Sequence, residues 1–327
     1  MNKIKWGILA PGHIARGFVA GLKVLDQAEL YAVASRDYSK AADFAKEFGF
    51  QKAYGNYEEL ADDPEVDVIY IATPHHLHFG NTMMCLRKGK AVLCEKPFSI
   101  NSLQLTKLVE TARENKVFLM EAMWTRFLPG IQKTVELIQE GKIGSIKMLN
   151  ADFGFKAIYN PESRLFNPFL GGGSLLDIGI YPVFLSLLLL GYPKEIQAVA
   201  VKAPTGVDES LSMSFSYNNG ALASLHCTFT THTTTDANIY GDKGKIQIKH
   251  QWFRPANIVV SRHDDNSEEL LFPAAANGYE YEAQEVMNCL REGRHESKIW
   301  NLDHSLQLMK LLDSIREKCN IVYPDYD

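Results

Sequence analysis

Apolar and polar residues alternate along the first third of the chain in two different periods. Short runs dominated by apolar residues, Ile4 to Leu9, Glu29 to Ser35, Val66 to Ile71, Ala91 to Cys94 and Val117 to Met120, read as strands. Between them lie amphipathic segments, Ile14 to Leu25, Ser39 to Phe48, Leu77 to Lys88 and Ser102 to Glu114, which read as helices. Strands apolar on both faces and alternating with helices predict a parallel sheet covered on both sides. The expected first domain is therefore a doubly wound α/β unit over residues 1–123.

After Trp124 the pattern changes. A helix from Pro129 to Gln139, ended by Gly141, leads to a strand from Ile146 to Phe155, and Gly171-Gly172-Gly173 opens a long apolar helix from Leu175 to Leu190. Runs rich in Val, Thr, Ser and Phe follow: Glu195 to Val201, Ser210 to Tyr217, Ala221 to Thr230, Asp236 to Tyr240, Lys245 to Lys249 and Asn257 to Ser261. Turns at Asn218-Asn219-Gly220 and Gly241-Asp242-Lys243-Gly244 predict hairpins, so residues 124–327 read as an α+β domain with a largely antiparallel open sheet. Helices from Tyr279 to Arg291 and Leu302 to Lys318 complete it. Between Ala221 and Thr230 one face carries Leu, Ser, His, Thr and Thr, a partly polar face that a twin sheet could cover, and a homodimer through this sheet is expected.

Composition narrows the partners. With 327 residues, 46% hydrophobic and 22% charged, and a net charge of −5, the chain reads as a two-domain globular protein with no electrostatic reason to bind nucleic acid or an acidic membrane. Five scattered cysteines suit reduced thiols in a cytoplasmic protein, and no signal peptide is expected from the amino terminus. The Leu175 to Leu190 stretch, which contains Asp177 and Pro182, is shorter than the roughly 20 residues a bilayer requires and reads as a buried helix.

Chemistry-bearing residues gather at predicted strand ends. Ala10, Gly12, His13 and Ile14 lie where the first strand passes into the first helix, the place where a dinucleotide fold admits pyrophosphate to a helix amino terminus. Ala10 replaces the first glycine of the usual G-x-G-x-x-G/A pattern. The second strand ends Ser35-Arg36 where an NAD-binding chain would place an acid, and arginine pairs well with a 2′-phosphate, so NADP is expected in preference to NAD. Thr73, His75 and His78 follow the strand Val66 to Ile71; no metal is expected there, because no cysteine or carboxylate ligand motif is nearby. Cys94-Glu95-Lys96-Pro97 closes the next strand, with Lys96 placed as an acid/base, Glu95 as an anchor of the cofactor or loop, and the Lys96 to Pro97 bond a candidate cis peptide. Asp177 and Tyr181 are four residues apart, which on an α-helix puts both on one face. Phe153 and Tyr279 are candidates for an apolar substrate wall.

The Glu95-Lys96-Pro97 motif, the nucleotide fold before it and the Asp177-x-Gly-x-Tyr181 pattern after it resemble the Gfo/Idh/MocA oxidoreductases over essentially the whole chain. Tyrosine stands where the family usually has histidine, and His75 where it usually has asparagine. Both departures resemble the branch of dimeric dihydrodiol dehydrogenases and NADP-dependent D-xylose dehydrogenases. The resemblance implies hydride transfer between NADP and the CH–OH group of a vicinal diol, sugar or polyol. It also implies cofactor contacts from Thr73, His75 and His78, a nicotinamide and substrate wall from Trp124 and Arg126, and catalysis by Lys96, Tyr181 and Asp177. Which of Lys96 and Tyr181 carries the proton stays open, as do an inositol or other sugar-derivative substrate and a non-catalytic NADP-sensing role.

Overall fold

The computed structural model describes residues 3–262 and 266–327. Six strands, β1 (Ile4–Leu9), β2 (Ala28–Ala34), β3 (Lys52–Tyr54), β4 (Val68–Ile71), β5 (Ala91–Glu95) and β6 (Leu119–Ala122), form one sheet in the order β3-β2-β1-β4-β5-β6. Every pair in it is parallel. Helices α1 (His13–Leu22), α2 (Tyr38–Phe48), α3 (Tyr57–Asp62), α4 (His78–Arg87) and α5 (Ser102–Asn115) connect the strands. The chain moves outward from β1 in both directions, so the crevice at the carboxyl ends of β1, β2 and β4 is the topological switch point where such sheets bind ligands. Ala10, Ser35, Thr73, Lys96 and Trp124 all lie just beyond the carboxyl ends of strands of this sheet.

Around this first sheet the expected elements form close to their expected limits, with β3 and α3 as additions. A three-residue strand is too short to show a period, whereas α3 had a readable start: Asn56 accepts from Glu59 N at 2.8 Å and its amide donates to the Glu59 carboxylate.

The second sheet contains β7 (Ile146–Gly154), β8 (Glu195–Lys202), β9 (Asp208–Ser216), β10 (Leu222–Thr228), β11 (Ala237–Gly241), β12 (Gly244–Ile248), β13 (Ile258–Arg262) and β14 (Ser267–Leu270). Their order is β14-β13-β12-β11-β7-β10-β9-β8, antiparallel except for the β7–β10 pair. Helix α6 (Pro129–Gln139) precedes it, and α7 (Ile180–Leu190) packs its apolar surface on the sheet's inner face with Leu211, Met213, Phe215, Ala223, Leu225 and Cys227 in the core. The segment Pro168–Leu190 is apolar and long enough to cross a membrane by composition, yet 83% of its most apolar window is buried inside the fold. On the other sheet face Met148, Val199, Val201 and Leu222 are exposed. Leu175–Gly179, ahead of α7, is a π-helical turn rather than the start of a regular α-helix.

Helices α8 (Tyr279–Arg291) and α9 (Leu302–Lys318) end the chain. Two compact units result, Met1–Phe127 with Ala274–Leu306, and Leu128–Pro273 with Gln307–Asp327. This differs from the expected contiguous division at 123/124, because 274–306 returns to the first unit. The reason is close packing: a Cβ on Gly21 of α1 would stand 2.9 Å from both Glu280 N and Tyr279 Cβ, and Asn277 donates to the Gly17 carbonyl at 2.8 Å.

Candidate active site

In the first unit the turn after β1 is tight. Ala10 takes φ 75°, the left-handed region that the replaced glycine would enter freely, and Gly12 N donates to Ala10 O at 2.9 Å. A Cβ on Gly12 would meet nothing within 4 Å, so the backbone is open to an approaching group. Helix α1 begins there with no side-chain cap and no acid in its first turn. An open backbone and uncapped N–H groups are what a pyrophosphate needs, so the residues Gly12, His13 and Ile14 fit a dinucleotide.

At the end of β2, Ser35 is buried and its hydroxyl accepts from Asp37 N at 3.2 Å. Arg36 is exposed and lies beside the Tyr57 hydroxyl. Asp37, the obvious acidic partner, instead caps α2 by accepting from Ser39 N at 3.0 Å, and no ion pair among the described residues involves Arg36.

The loops after β4 and β5 are tied together by His78. It is fully buried, with Nδ1 2.7 Å from Pro97 O and Nε2 2.7 Å from Thr73 O. Two carbonyl acceptors favour a doubly protonated ring, but burial, with the Lys96 charge added, pulls its pKa down to about 4. With no carboxylate to compensate, the neutral ring is the state at pH 7, and it donates to one of the two carbonyls. His75 packs its ring 5.8 Å from that of His78, and Asn81 donates to the Thr73 hydroxyl at 3.2 Å.

The Lys96–Pro97 bond is cis. Glu95 is buried and receives a hydrogen bond from the Tyr70 hydroxyl and one from Lys96 N at 3.2 Å. Burial pushes its carboxyl up, while Tyr70 and the Lys96 charge oppose that. A second buried carboxyl that feels Lys96 is Glu121 on β6, which accepts from Ser305 Oγ at 2.7 Å and Trp300 Nε1 at 3.1 Å. Trp124 stacks on Tyr279 with centroids 4.4 Å apart, which puts Tyr279 in the same aromatic wall as Trp124. Arg126 is largely buried, and burial lowers its pKa.

The second unit carries the remaining expected residues. Asp177 sits in the π-helical turn and Tyr181 in the first turn of α7, both buried. The wider π turn changes the angular offset that a regular α-helix would give a four-residue spacing. Arg164 Nη1 donates to Asp177 Oδ1 at 2.9 Å, with Asp177 10% and Arg164 54% exposed in their side chains. Tyr181 joins Phe153 (5.7 Å) and Phe253 (5.2 Å), and those two phenylalanines stack at 4.1 Å. Trp252, fully buried, donates from its indole to Asp152 O at 2.9 Å and so holds Phe253 beside Phe153.

Arg164 and Phe253 were absent from the sequence reading. Burial of Asp177 demanded a cation, yet 164 lies in an irregular loop that nothing in its period assigns to the site. Phe253 likewise belongs to an irregular segment between strands.

Comparison with known proteins agrees with this fold. Residues 4–123 match the family model for the Gfo/Idh/MocA oxidoreductases with an NAD-binding Rossmann fold, and residues 131–247 match the Gfo/Idh/MocA C-terminal domain. The chain is similar to trans-1,2-dihydrobenzene-1,2-diol dehydrogenases from Mus musculus (38% identical) and Homo sapiens (36%), each alignment covering 98% of both chains. Among solved structures it is similar to a 3-ketoreductase from Actinomadura kijaniata in complex with NADP and TDP-benzene, at TM-score 0.87 and 27% identity over 97% of this chain and 98% of that one. The chain therefore belongs to the Gfo/Idh/MocA oxidoreductases and is an NAD(P)-dependent dehydrogenase.

Proposed function

We propose that this dehydrogenase uses NADP and acts on the CH–OH group of a vicinal diol, sugar or polyol. The observation that carries the cofactor choice is Arg36: an exposed guanidinium at the end of β2, where a carboxylate for the ribose hydroxyl is missing and the adjacent Asp37 is spent on capping α2. Guanidinium and 2′-phosphate form paired charge-assisted hydrogen bonds. Gly12, His13 and Ile14 then hold the pyrophosphate, while Ala10 shapes the turn and Ser35 supports the strand end. Thr73, His75 and Glu95 line the cofactor crevice, and His78 serves it by tying its two loops. Trp124 and Arg126 face the nicotinamide end.

A bound nicotinamide accepts or supplies the hydride. The chain's task is the hydroxyl proton, which Lys96 and Tyr181 share while Asp177 orients the substrate hydroxyl. The three-ring cluster of Tyr181, Phe153 and Phe253 favours a substrate with an apolar ring face over a uniformly polar inositol. Support for the substrate class comes from the dihydrodiol dehydrogenases at 36–38% identity. The 3-ketoreductase relative, solved with a lysine replaced and with a tyrosine replaced, supports the pairing of those residue types. A homodimer through the second sheet is part of the proposal, since Met148, Val199, Val201 and Leu222 leave apolar side chains on its outer face. Light scattering at the monomer mass of 36.8 kDa would remove that part.

Titration of Arg36→Asp with NADPH and NADH tests the cofactor assignment. The expected outcome is an NADPH affinity at least tenfold weaker with NADH binding improved, because the new carboxylate repels the phosphate and accepts from the ribose hydroxyl. Unchanged NADPH affinity would overturn it.

A further inference from the structure

The glycine-rich loop Gly171-Gly172-Gly173 and the π-helical turn after it have one feature in common: both are shaped around Asp208, the first residue of β9. Asp208 is fully buried, and its Oδ2 accepts from Ser174 Oγ at 2.8 Å and from Leu175 N at 2.6 Å. These are donors at the amino end of the turn that carries Asp177. Helix starts leave backbone N–H groups without internal partners, and here the carboxylate that meets them comes from a strand more than thirty residues further along the chain. Gly173 is required for this. It takes φ 118°, and a Cβ there would stand 2.3 Å from Asp208 Oδ1.

We infer that Asp208 is a positioning residue for the dehydrogenase reaction, a remote cap that holds the π-helical turn and so sets where Asp177 and Tyr181 stand. The inference rests on Asp177 and Tyr181 acting on substrate. Cys227 on β10 supports the turn from below: its Sγ lies 3.5 Å from Ser174 Oγ, and a Cβ on Gly179 would come within 2.7 Å of it. The groups facing Asp208 are therefore Ser174 of the turn, Cys227 of β10, and Cys319 and Tyr323 after α9, with Arg316 of α9 behind the Tyr323 ring. None of the titratable neighbours is a cation in direct hydrogen bond with the carboxylate among the described residues. Burial raises the Asp208 pKa to about 6, against the hydrogen bonds from Ser174 and Leu175. Because the folded pKa lies above the ordinary aspartate value, the closed turn is favoured by protonation, and it is the acceptor oxygen facing Ser174 and Leu175, rather than the charge, that holds the turn.

The test uses the full chain and Asp208→Ala, which removes the acceptor, beside Asp208→Asn, which keeps an acceptor oxygen without the charge. Hydrogen–deuterium exchange should quicken at least tenfold across residues 174–181 in Asp208→Ala, with the first sheet unchanged, and return towards the wild-type rate in Asp208→Asn. Turnover of trans-cyclohexane-1,2-diol with NADP should fall about tenfold in Asp208→Ala with NADPH affinity retained, and Asp208→Asn should restore most of it. Ser174→Ala, which removes one donor, should give a smaller effect in the same segment. Wild-type exchange over 174–181 in a folded Asp208→Ala protein would overturn the inference, and this readout stands even if the diol is not a substrate. Global unfolding of Asp208→Ala shifts the decision to Ser174→Ala, where exchange faster only within 174–181 supports the cap and unchanged exchange overturns it.

Discussion

The two units keep carboxylates out of water by different means. In the first, Glu95, Glu121 and Glu282 are all buried near the end of the parallel sheet, and they differ in what meets them. Glu95 receives Tyr70 and a backbone N–H, Glu121 receives Ser305 and Trp300, and neither oxygen of Glu282 has a hydrogen-bond partner. In the second unit Asp177 is held by Arg164, whose own side chain reaches solvent, and Asp208 by the start of a helix. The contrast teaches that burial raises the cost of a carboxylate's charge in both units and that donors aimed from another element oppose that cost; where none is aimed, burial acts unopposed. Glu282 is the example, pushed well above the glutamate range by burial and then by Glu95.

Four changes break or sharpen this contrast. The largest effect is expected from Lys96→Met, which removes either the acid/base itself or the charge that tunes a neighbouring acid: turnover should fall by about 10³-fold or more in steady-state assays, with NADPH binding retained. Tyr181→Phe comes next. A loss of about 10²-fold with an intact fold by circular dichroism assigns the tyrosine a part in the proton transfer, whereas near-normal turnover leaves Lys96 as the sole carrier and reduces Tyr181 to packing in its aromatic cluster.

The third change concerns stability. Burial holds the folded Glu282 carboxyl well above its ordinary range, so its contribution is fully present below the ordinary glutamate pKa of about 4.3 and is lost as pH rises towards the raised folded value. Glu282→Gln removes that loss. Urea unfolding should show a gain at pH 7 that shrinks towards zero near pH 4; a gain independent of pH would show that the charge of Glu282 is not what costs stability.

The smallest effect is expected at Ala10. A non-glycine residue at φ 75° carries about 1 kcal/mol of strain, and glycine would relieve it. Glycine also loosens the unfolded chain, by about 0.4–1 kcal/mol. The two nearly cancel, so thermal denaturation of Ala10→Gly should move stability by less than about 0.5 kcal/mol.

Much of the fold was legible beforehand because local rules govern it. Apolar runs of strand length, helical periods and the two hairpin turns named the main elements, and the strand ends located Gly12, Arg36, Lys96 and Trp124 where the sheet topology gathers ligands. Short elements escaped for lack of a period. The return of 274–306 to the first unit escaped because it depends on Gly21 admitting Tyr279, a contact between residues more than 250 positions apart.

By itself, then, the sequence determined which strands and helices form and which candidate residues lie at their ends, since propensity, period and turn residues act over a few neighbours. Tertiary structure alone decided their partners. Arg164 pairs with Asp177, Phe253 stacks on Phe153, His78 bridges two loop carbonyls, and Asp208 caps a helix on another element. Each of these is a long-range choice among several chemically equivalent residues, made by the close packing of elements whose spacing along the chain contains no record of it.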